Sequence, residues 1–554
     1  ENRLQAAGRL LKHRGPDDEG FYMDDHFGVH FSRLSIMDPS DLGHQPMISD
    51  DGRFVLVFNG EIYNAFELRK ELKDKNHSFR STSSDTEVLL KLFIEYGIAA
   101  CHQLRGMFAF VVWDKRTQTL HAFRDRMGIK PLYFARRDEK IIFSSEAKAI
   151  LEYCPELREI DLESVYKYIS RNWIDTDQNT FFKGIKHLSP GNYATVRKGE
   201  CFISQYWSLK INDPTSDSLD GFKQEFETTI KQHIQTDVSY ASTLSGGIDS
   251  SAIVCVAASL TPSPDQLTTF SSLPEQTIDE SHWINETVEH TGVNHHYIKH
   301  GNVDTGRTVE KILYAHDEPF QHSSVIFHFL LRQKVSQENI KVLLVGEGAD
   351  EVLGGYRRLL YPFLYSLWLD NNKKEFHRTI NSAIHFMEIP EATIFDNFNS
   401  YKIMIDTKAN GLENKTAFDL MDPDFQNAYL SIKREVDYPQ KTTEYGNYFF
   451  AHLARHMFVK DLPTHLKMED RNSMAHSVEA RVPFLDHVLI EKVFSYPYSL
   501  FMRGGQNKHI LRETMQGYMP KGVLSRQSKS GRPGNNSYLV YNTLNEEMTR
   551  LIEY

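Results

Sequence analysis

Seven residues, Ser245-Gly246-Gly247-Ile248-Asp249-Ser250-Ser251, leave this chain little choice of architecture, because they join an apolar run, Ser239 to Leu244, to a helix-like run, Ser250 to Leu260. Glycines let a backbone turn tightly under a ligand, and the first amides of the following helix then face an anion. Such a nest can hold the pyrophosphate of ATP through N–H groups and the helix dipole, with the Ser245, Ser250 and Ser251 hydroxyls adding donors. Asp249 is placed to hold Mg²⁺ there. A plain glycine turn with a serine cap is the competing reading of the short string; its strand-loop-helix setting favours the ligand site. No GxxxxGK[ST] pattern occurs, so kinase-style transfer of a terminal phosphoryl group is disfavoured.

A second apolar run, Ile340 to Val345, leads into Val345-Gly346-Glu347-Gly348-Ala349-Asp350-Glu351 and then Gly354-Gly355-Tyr356. Carboxylates this close repel unless a cation or a proton relieves them; a solvated acidic turn is the alternative. Strands alternating with helices beyond Ser239 predict βαβ units and a parallel sheet, with ligands at the carboxyl ends of its strands. From Tyr361 to Val459 the chain is helix-rich and aromatic, and is expected to pack around that sheet. The front half reads differently. Phe54 to Phe58, Met107 to Trp113 and Ile141 to Phe143 are strand-like, interrupted by one helix, Asp85 to Tyr96, with Val88, Leu89, Leu92 and Phe93 at helical spacing. Between the halves, Ile211 to Ser218 is polar, contains Pro214 and lacks periodicity, so it is the expected linker. The expected units are residues 1–210 and 219–554.

Composition narrows the function classes. A chain of 554 residues is expected to form two or three domains, and 40% apolar with 25% charged residues is ordinary for a globular protein. The net charge of -11, with Lys and Arg scattered, offers no footprint for a phosphate backbone, so no nucleic-acid partner is expected. The longest apolar runs fall far short of the ~20 residues of a membrane helix. Glu1 to Leu11 lack a signal-like apolar core, so no membrane partner and a cytoplasmic location are expected. Cys101, Cys154, Cys201 and Cys255 are too far apart for a CxxC pair and read as ordinary thiols.

The glycine string resembles the SGGxDS loop of the ATP pyrophosphatase group, which cleaves ATP between the α and β phosphates. Val345 to Glu351 resembles the matching loop of asparagine synthetases. Arg471 to Asp486 is close to the R-x-SMA-x-x-x-E-x-RVPFLD signature of the same family. The resemblance implies that Leu244, Ser245, Gly246, Gly247, Asp249, Ser250, Ser251, Ser272, Val345, Gly346 and Lys508 contact ATP. It further implies that Asp249 and Asp350 surround Mg²⁺ and pyrophosphate, and that Glu347 serves the acyl-adenylate step. Lys508, in Asn507-Lys508-His509-Ile510-Leu511-Arg512, would neutralise charge on the α-phosphate and pyrophosphate. Asp317-Glu318-Pro319 with Ser323 and Ser324 is also similar to the family, with no role attached.

The front half resembles the class II glutamine amidotransferase domain, through His13-Arg14-Gly15-Pro16-Asp17, Ser32-Arg33-Leu34-Ser35-Ile36, Asn59-Gly60-Glu61-Ile62-Tyr63-Asn64, Ser84-Asp85 and Arg124 to Tyr133. Carried over, Arg33 grips the glutamine α-carboxylate, Glu61 and Asp85 take its ammonium, and Asn59 and Gly60 form the oxyanion hole. Leu34, Ser35, Ile36 and Met37 complete the glutamine site. The implied nucleophile is an N-terminal cysteine opening Cys-Gly-Ile, whereas the sequence as given opens at Glu1. Residues beginning with cysteine are expected before Glu1; an ammonia-only enzyme is the alternative. The spacing from Phe270 to Asp279 raises the same question of absent residues.

Together these resemblances imply an α+β N-terminal-nucleophile αββα sandwich, then a parallel-sheet α/β synthetase domain of the adenine nucleotide α-hydrolase type. The expected chemistry is activation of a carboxylate by ATP as an acyl-adenylate, with ammonia from glutamine displacing AMP. Aspartate to asparagine is the simplest pair, and a homodimer the expected assembly. Rivals are a lactam-forming relative, an amidotransferase acting on a peptide, sugar acid or secondary metabolite, and a degenerate regulatory homologue. Glu347 counts against the β-lactam branch, where a tyrosine is expected, and intact Asp249, Glu347, Asp350 and Lys508 count against degeneracy.

Overall fold

Side-chain alternation organises the front half in a computed structural model, which describes residues 1–211, 218–273, 280–299, 303–407 and 445–526. Strands are numbered in chain order. A hairpin of β1 (Asp18–Met23) and β2 (Gly28–Arg33) precedes two antiparallel sheets. The larger contains β3 (Met47–Ile48), β4 (Phe54–Ile62), β5 (Gly106–Asp114) and β6 (Thr119–Arg124), with β10 (Asn192–Arg197) and β11 (Glu200–Gln205) beyond β6. The smaller contains β7 (Tyr133–Arg137), β8 (Lys140–Ser144) and β9 (Ile185–His187), with β7 in the middle.

Successive residues of β4 and β5 face opposite layers, as the pleat requires. Val55, Ala109, Val111 and Trp113 meet Leu132 and Leu188 between the two sheets. Leu56, Phe58, Phe108, Phe110 and Val112 instead meet Leu68, Leu72, Val88, Leu89 and Leu92 of helices Ala65–Asp74 and Asp85–Tyr96. On the far side, Tyr133, Ala135 and Ile185 pack on Ala147, Ile150 and Leu151 of helix Ala147–Tyr153. The layers therefore run helix, sheet, sheet, helix, which is the αββα sandwich. Helix Asp85–Tyr96 has the bounds its sequence predicts, because the Ser84 hydroxyl accepts the Glu87 N–H at 3.2 Å and Gly97, at φ 57°, ends it.

The back half is built on five parallel strands in the order β14-β13-β12-β15-β16: β12 (Tyr240–Thr243), β13 (Thr268–Leu273), β14 (Asn294–Lys299), β15 (Val342–Leu344) and β16 (Glu479–Arg481). Strands buried on both faces read as continuous apolar runs, which is why Val342, Leu343 and Leu344 show no alternation. The chain winds outward in both directions from β12, making the carboxyl ends of β12 and β15 a topological switch point. Strands β12 and β15 are each shorter than the apolar runs that predicted them, and the helix expected from Ser250 starts two residues earlier, at Ile248. Gly247 is extended (φ -78°, ψ 158°), so helical geometry begins immediately after the double glycine. β16 was not legible as a strand, since Glu479-Ala480-Arg481 is too short and charged to show a pattern.

Helices Leu360–Leu369, Lys373–Phe386, Glu391–Thr407 and Tyr448–Arg455 occupy the segment expected to be helix-rich. Residues 212–217 of the expected linker and residues 274–279 lie outside the described residues. Among the described residues, no helix is long and apolar enough to cross a membrane.

Candidate active sites

The loop after β12 closes on itself through side chains. Ser245 N–H donates to Ser250 Oγ at 3.0 Å, and Gly247 N–H approaches Ser245 Oγ at 3.4 Å. Gly246 sits at φ 67°, in the left-handed region that favours glycine. Ser251 is fully buried and accepts from the Thr287 hydroxyl at 3.2 Å, which places it behind the loop. Leu244 is buried at the start of the loop, and Ser272 lies at the carboxyl end of the neighbouring β13.

Lys508 binds these elements together. Its Nζ donates to both carboxylate oxygens of Asp249, at 2.7 and 2.6 Å, and meets Asp350 Oδ1 at 2.5 Å. Burial acts to lower the lysine pKa, but Asp249 and then Asp350 outweigh it and hold the group above its usual range. Two carboxylates converging on one cation form an oxygen donor set that also suits a hard divalent ion. Gly346 passes close by: a side-chain carbon there would lie 3.4 Å from Asp249 Cβ, and Val345 N–H donates to the Arg481 carbonyl at 2.9 Å.

Glu347, from the same loop, belongs to a second group. His328, Glu347 and Glu469 bring ligand atoms within 4.8 Å of one another. Burial, and next the Glu469 carboxylate, push Glu347 up to about 7, against the pull of Arg332. Arg332 is committed to Glu469 by a two-pronged contact of 3.0 and 2.5 Å, and Ser473 Oγ donates to the same carboxylate at 2.7 Å. Glu351, the third acid of the loop, is turned elsewhere and accepts from the Tyr356 hydroxyl at 2.6 Å. Sequence reasoning did not identify His328, Arg332 or Glu469 as neighbours of Glu347. They arrive from distant helices, and only the adjacency of Glu469 to the Arg471 signature hinted at them.

In the front half a cavity of about 120 Å³ is lined by Arg33, Leu34, Ile36, Met37, Asn59, Gly60, Glu61 and Asp85, and by Met474 and Glu479 from the back half. Asn59 Nδ2 is buried with no hydrogen-bond partner, a donor left open for an acceptor. Gly60 has φ 150°, and a side-chain carbon there would strike the Met107 carbonyl at 2.0 Å. Burial pushes Asp85 up to about 6. Arg33 reaches the cavity, yet its Nη1 donates to the Ser40 carbonyl at 3.0 Å and its Nη2 to the Asp38 carbonyl at 2.5 Å. A carboxylate held by Arg33 must share or replace these bonds. Ser35 is not on the cavity wall; its N–H donates to Asp17 at 2.7 Å.

The unassigned Asp317-Glu318 pair is a clasp between the halves. Asp317 pairs with Lys148 at 2.9 Å, while Glu318 accepts the Phe181 N–H at 2.7 Å and pairs with Lys467. The four cysteines are free thiols, and burial pushes Cys101 up to about 11 and Cys255 to about 12, which suits inert packing groups.

Two family models divide the chain: a glutamine amidotransferase domain matches residues 1–207, and asparagine synthase matches residues 221–554. The chain belongs to the asparagine synthetase family. Asparagine synthetase [glutamine-hydrolyzing] 1 of Bacillus subtilis is 31% identical, over 100% of this chain and 87% of that protein. Asparagine synthetase [glutamine-hydrolyzing] 3 of the same organism is 30% identical, over 93% and 82%. Amidase chry2 of Gibberella zeae is 28% identical, over 99% and 87%. Membership accounts for two separate candidate sites on one asparagine synthetase chain: a cavity in the amidotransferase part and a carboxylate-lysine cluster in the synthase part.

Proposed function

We propose that the chain makes asparagine from aspartate, ATP and glutamine-derived ammonia, releasing AMP and pyrophosphate. Residues 1–210 form the glutaminase unit and residues 219–554 the synthetase unit. The observation that carries this reading is the meeting of Asp249, Asp350 and Lys508 at the switch point of the parallel sheet, beside a Glu347 that titrates near neutrality.

A carboxylate cannot expel oxide, but joined to AMP it gains a good leaving group. The acceptor carboxylate attacks the α-phosphorus, and Lys508 offsets the charge that builds on the α-phosphate and the departing pyrophosphate. Leu244, Ser245, Gly246, Gly247, Ser250, Ser251, Ser272, Val345 and Gly346 form the bed for ATP. Asp249 and Asp350 would hold Mg²⁺, which when bound neutralises phosphate charge. Glu347 then accepts a proton from the attacking ammonia as the carbon-nitrogen bond forms and AMP leaves. In the front cavity, Glu61 and Asp85 take the glutamine ammonium, Arg33 its carboxylate, and Asn59 with Gly60 the amide oxygen in the transition state. The protein acts as a homodimer in the cytoplasm, with small molecules as its substrates; sedimentation tests the dimer.

The test supplies ATP, Mg²⁺, an ammonium salt and aspartate, and follows pyrophosphate and asparagine, which are expected in equal amounts. Lys508→Met and Asp249→Asn should each slow the reaction by about 10²- to 10³-fold. Pyrophosphate formed at the same rate without an acceptor acid would overturn the reading. Similarity to amidase chry2, a relative that does not carry the asparagine synthetase name, leaves room for a second reading, amidation of a different acid. A panel of acids in the same assay, with product masses read directly, separates the two.

A further inference from the structure

Glu61 is buried, yet its carboxylate does not find its charge partner in its own half of the molecule. Arg481, from β16 of the synthase part, donates Nη2–H to Glu61 Oε2 at 2.8 Å across 420 residues of sequence. Arg481 is itself fully buried and fixed on its other sides. Its Nε donates to Glu479 Oε1 at 3.0 Å, and its Nη1 to the carbonyls of His233 and Gln235 at 2.9 and 2.7 Å. The guanidinium cannot pivot without breaking these bonds, so it presents one fixed N–H to Glu61. That contact takes Oε2 only. Oε1 accepts no hydrogen bond among the described residues, and Glu61 lines the front cavity.

We infer that Arg481 is a positioning residue of the glutamine site: it orients Glu61 so that Oε1 faces the bound α-ammonium, which makes this subsite incomplete without the synthase half. The inference rests on the reading that Glu61 takes the ammonium. Burial, with Asp85 and Glu479, holds the Glu61 pKa well above the usual carboxylate range, and Arg481 is the largest influence opposing it. A bound ammonium on the open oxygen adds a second positive charge to that of the guanidinium, and the two together favour the carboxylate form that the ion pair needs. Glu479 and Met474 in the cavity wall come from the same half as Arg481.

Glutamine binding by calorimetry to the whole chain provides the test, with glutaramate, which is glutamine without its α-amine, as the comparison ligand. Arg481→Lys keeps the buried charge but loses the fork, and should weaken glutamine binding about tenfold while changing glutaramate binding less than about twofold. Arg481→Met combined with Glu61→Gln removes both charges together, so a folded protein remains available if Arg481→Met alone does not fold. The double variant should lose most of the preference for glutamine over glutaramate, keeping only the share that Asp85 supplies. Glu61→Gln alone tests the underlying reading, since undiminished glutamine affinity there removes Glu61 from the ammonium subsite. If Glu61→Gln weakens glutamine but Arg481→Lys does not, or weakens both ligands alike, the role of Arg481 is overturned while that of Glu61 stands.

Discussion

Glu347 shows how one residue's surroundings set its chemistry. It is a half-buried acid whose folded pKa, about 7, exceeds its ordinary value of 4.5, because of burial and then Glu469. An acid with a raised folded pKa is favoured while protonated, so the stability it contributes falls as pH climbs from 4.5 to about 7. Glu347→Gln abolishes that titration. Its apparent Tm should match the parent's near about pH 5 and exceed it near about pH 8, by the equivalent of about 1–2 kcal/mol after allowing for partial exposure. A thermal scan series checks this; a difference that stays level across the range would mean that Glu347 is not held near neutrality. The same variant should bind ATP with unchanged affinity and lose synthesis, a stability gain traded against function. Glu347, Asp249, Asp350 and Lys508 were all legible in the sequence because each sits inside a loop motif. The residues that tune Glu347 were not: Arg332 and Glu469 lie 137 residues apart, and nothing local signals their contact.

Two loops built from glycine carry the site at the scale of elements, and their glycines serve different ends. At Gly355 a side-chain carbon would fall 1.8 Å from Asp350 Oδ1 and 2.2 Å from Lys508 Cε. Gly355→Ala must therefore push the lysine and aspartate apart, and should cut synthesis about 10- to 100-fold, with apparent stability changing by only about 1 kcal/mol. Activity within a factor of about two of the parent would show that the cluster tolerates rearrangement. Gly346 is the contrast. Its nearest neighbour is Asp249 Cβ at 3.4 Å, an ordinary contact, and its backbone lies outside the left-handed region. The chain alone thus has room for alanine there. Gly346→Ala should fold normally and bind ATP more weakly in a calorimetric titration, and any loss reports the ligand rather than the fold; unchanged ATP affinity would take Gly346 out of the nucleotide bed. Helix Asp85–Tyr96, with its strong periodicity, was readable from sequence to the residue, whereas strands such as Phe54–Ile62 and Gly106–Asp114 were readable in place but run past the bounds expected of them. β16 was not, because its identity as a strand comes from pairing with β15 rather than from its own three residues.

The two halves of the molecule meet through buried charge, with Glu146 at the centre. This carboxylate, 1% exposed, receives Arg14 and Arg471 at 2.9 Å each, His13 at 3.1 Å, and Lys148. Arg14 reaches on to Asp470 of the synthase part at 2.8 and 2.9 Å. Burial alone would raise the Glu146 pKa, but Arg471, the His13 hydrogen bond and Arg14 together hold it well below the usual carboxylate range. A depressed carboxylate contributes stability that is present above its ordinary value of 4.5 and is lost only in stronger acid, so the network is intact at neutral pH. Removing one member weakens the rest: Glu146→Gln takes a shared counter-charge from Arg14 and Arg471, which keep Asp470 and Asp317, and should cost about 1–3 kcal/mol near neutral pH. Buried pairs are weakly screened, so the loss should persist in high salt. Separate domains joined by a polar interface ordinarily unfold separately. With this network in place, glutamine binding and ATP binding should instead disappear together when the parent protein is heated. In Glu146→Gln the two losses should part, each ligand reporting the half that holds it. Separate losses in the parent protein would show that the buried charges do not join the halves into one cooperative unit.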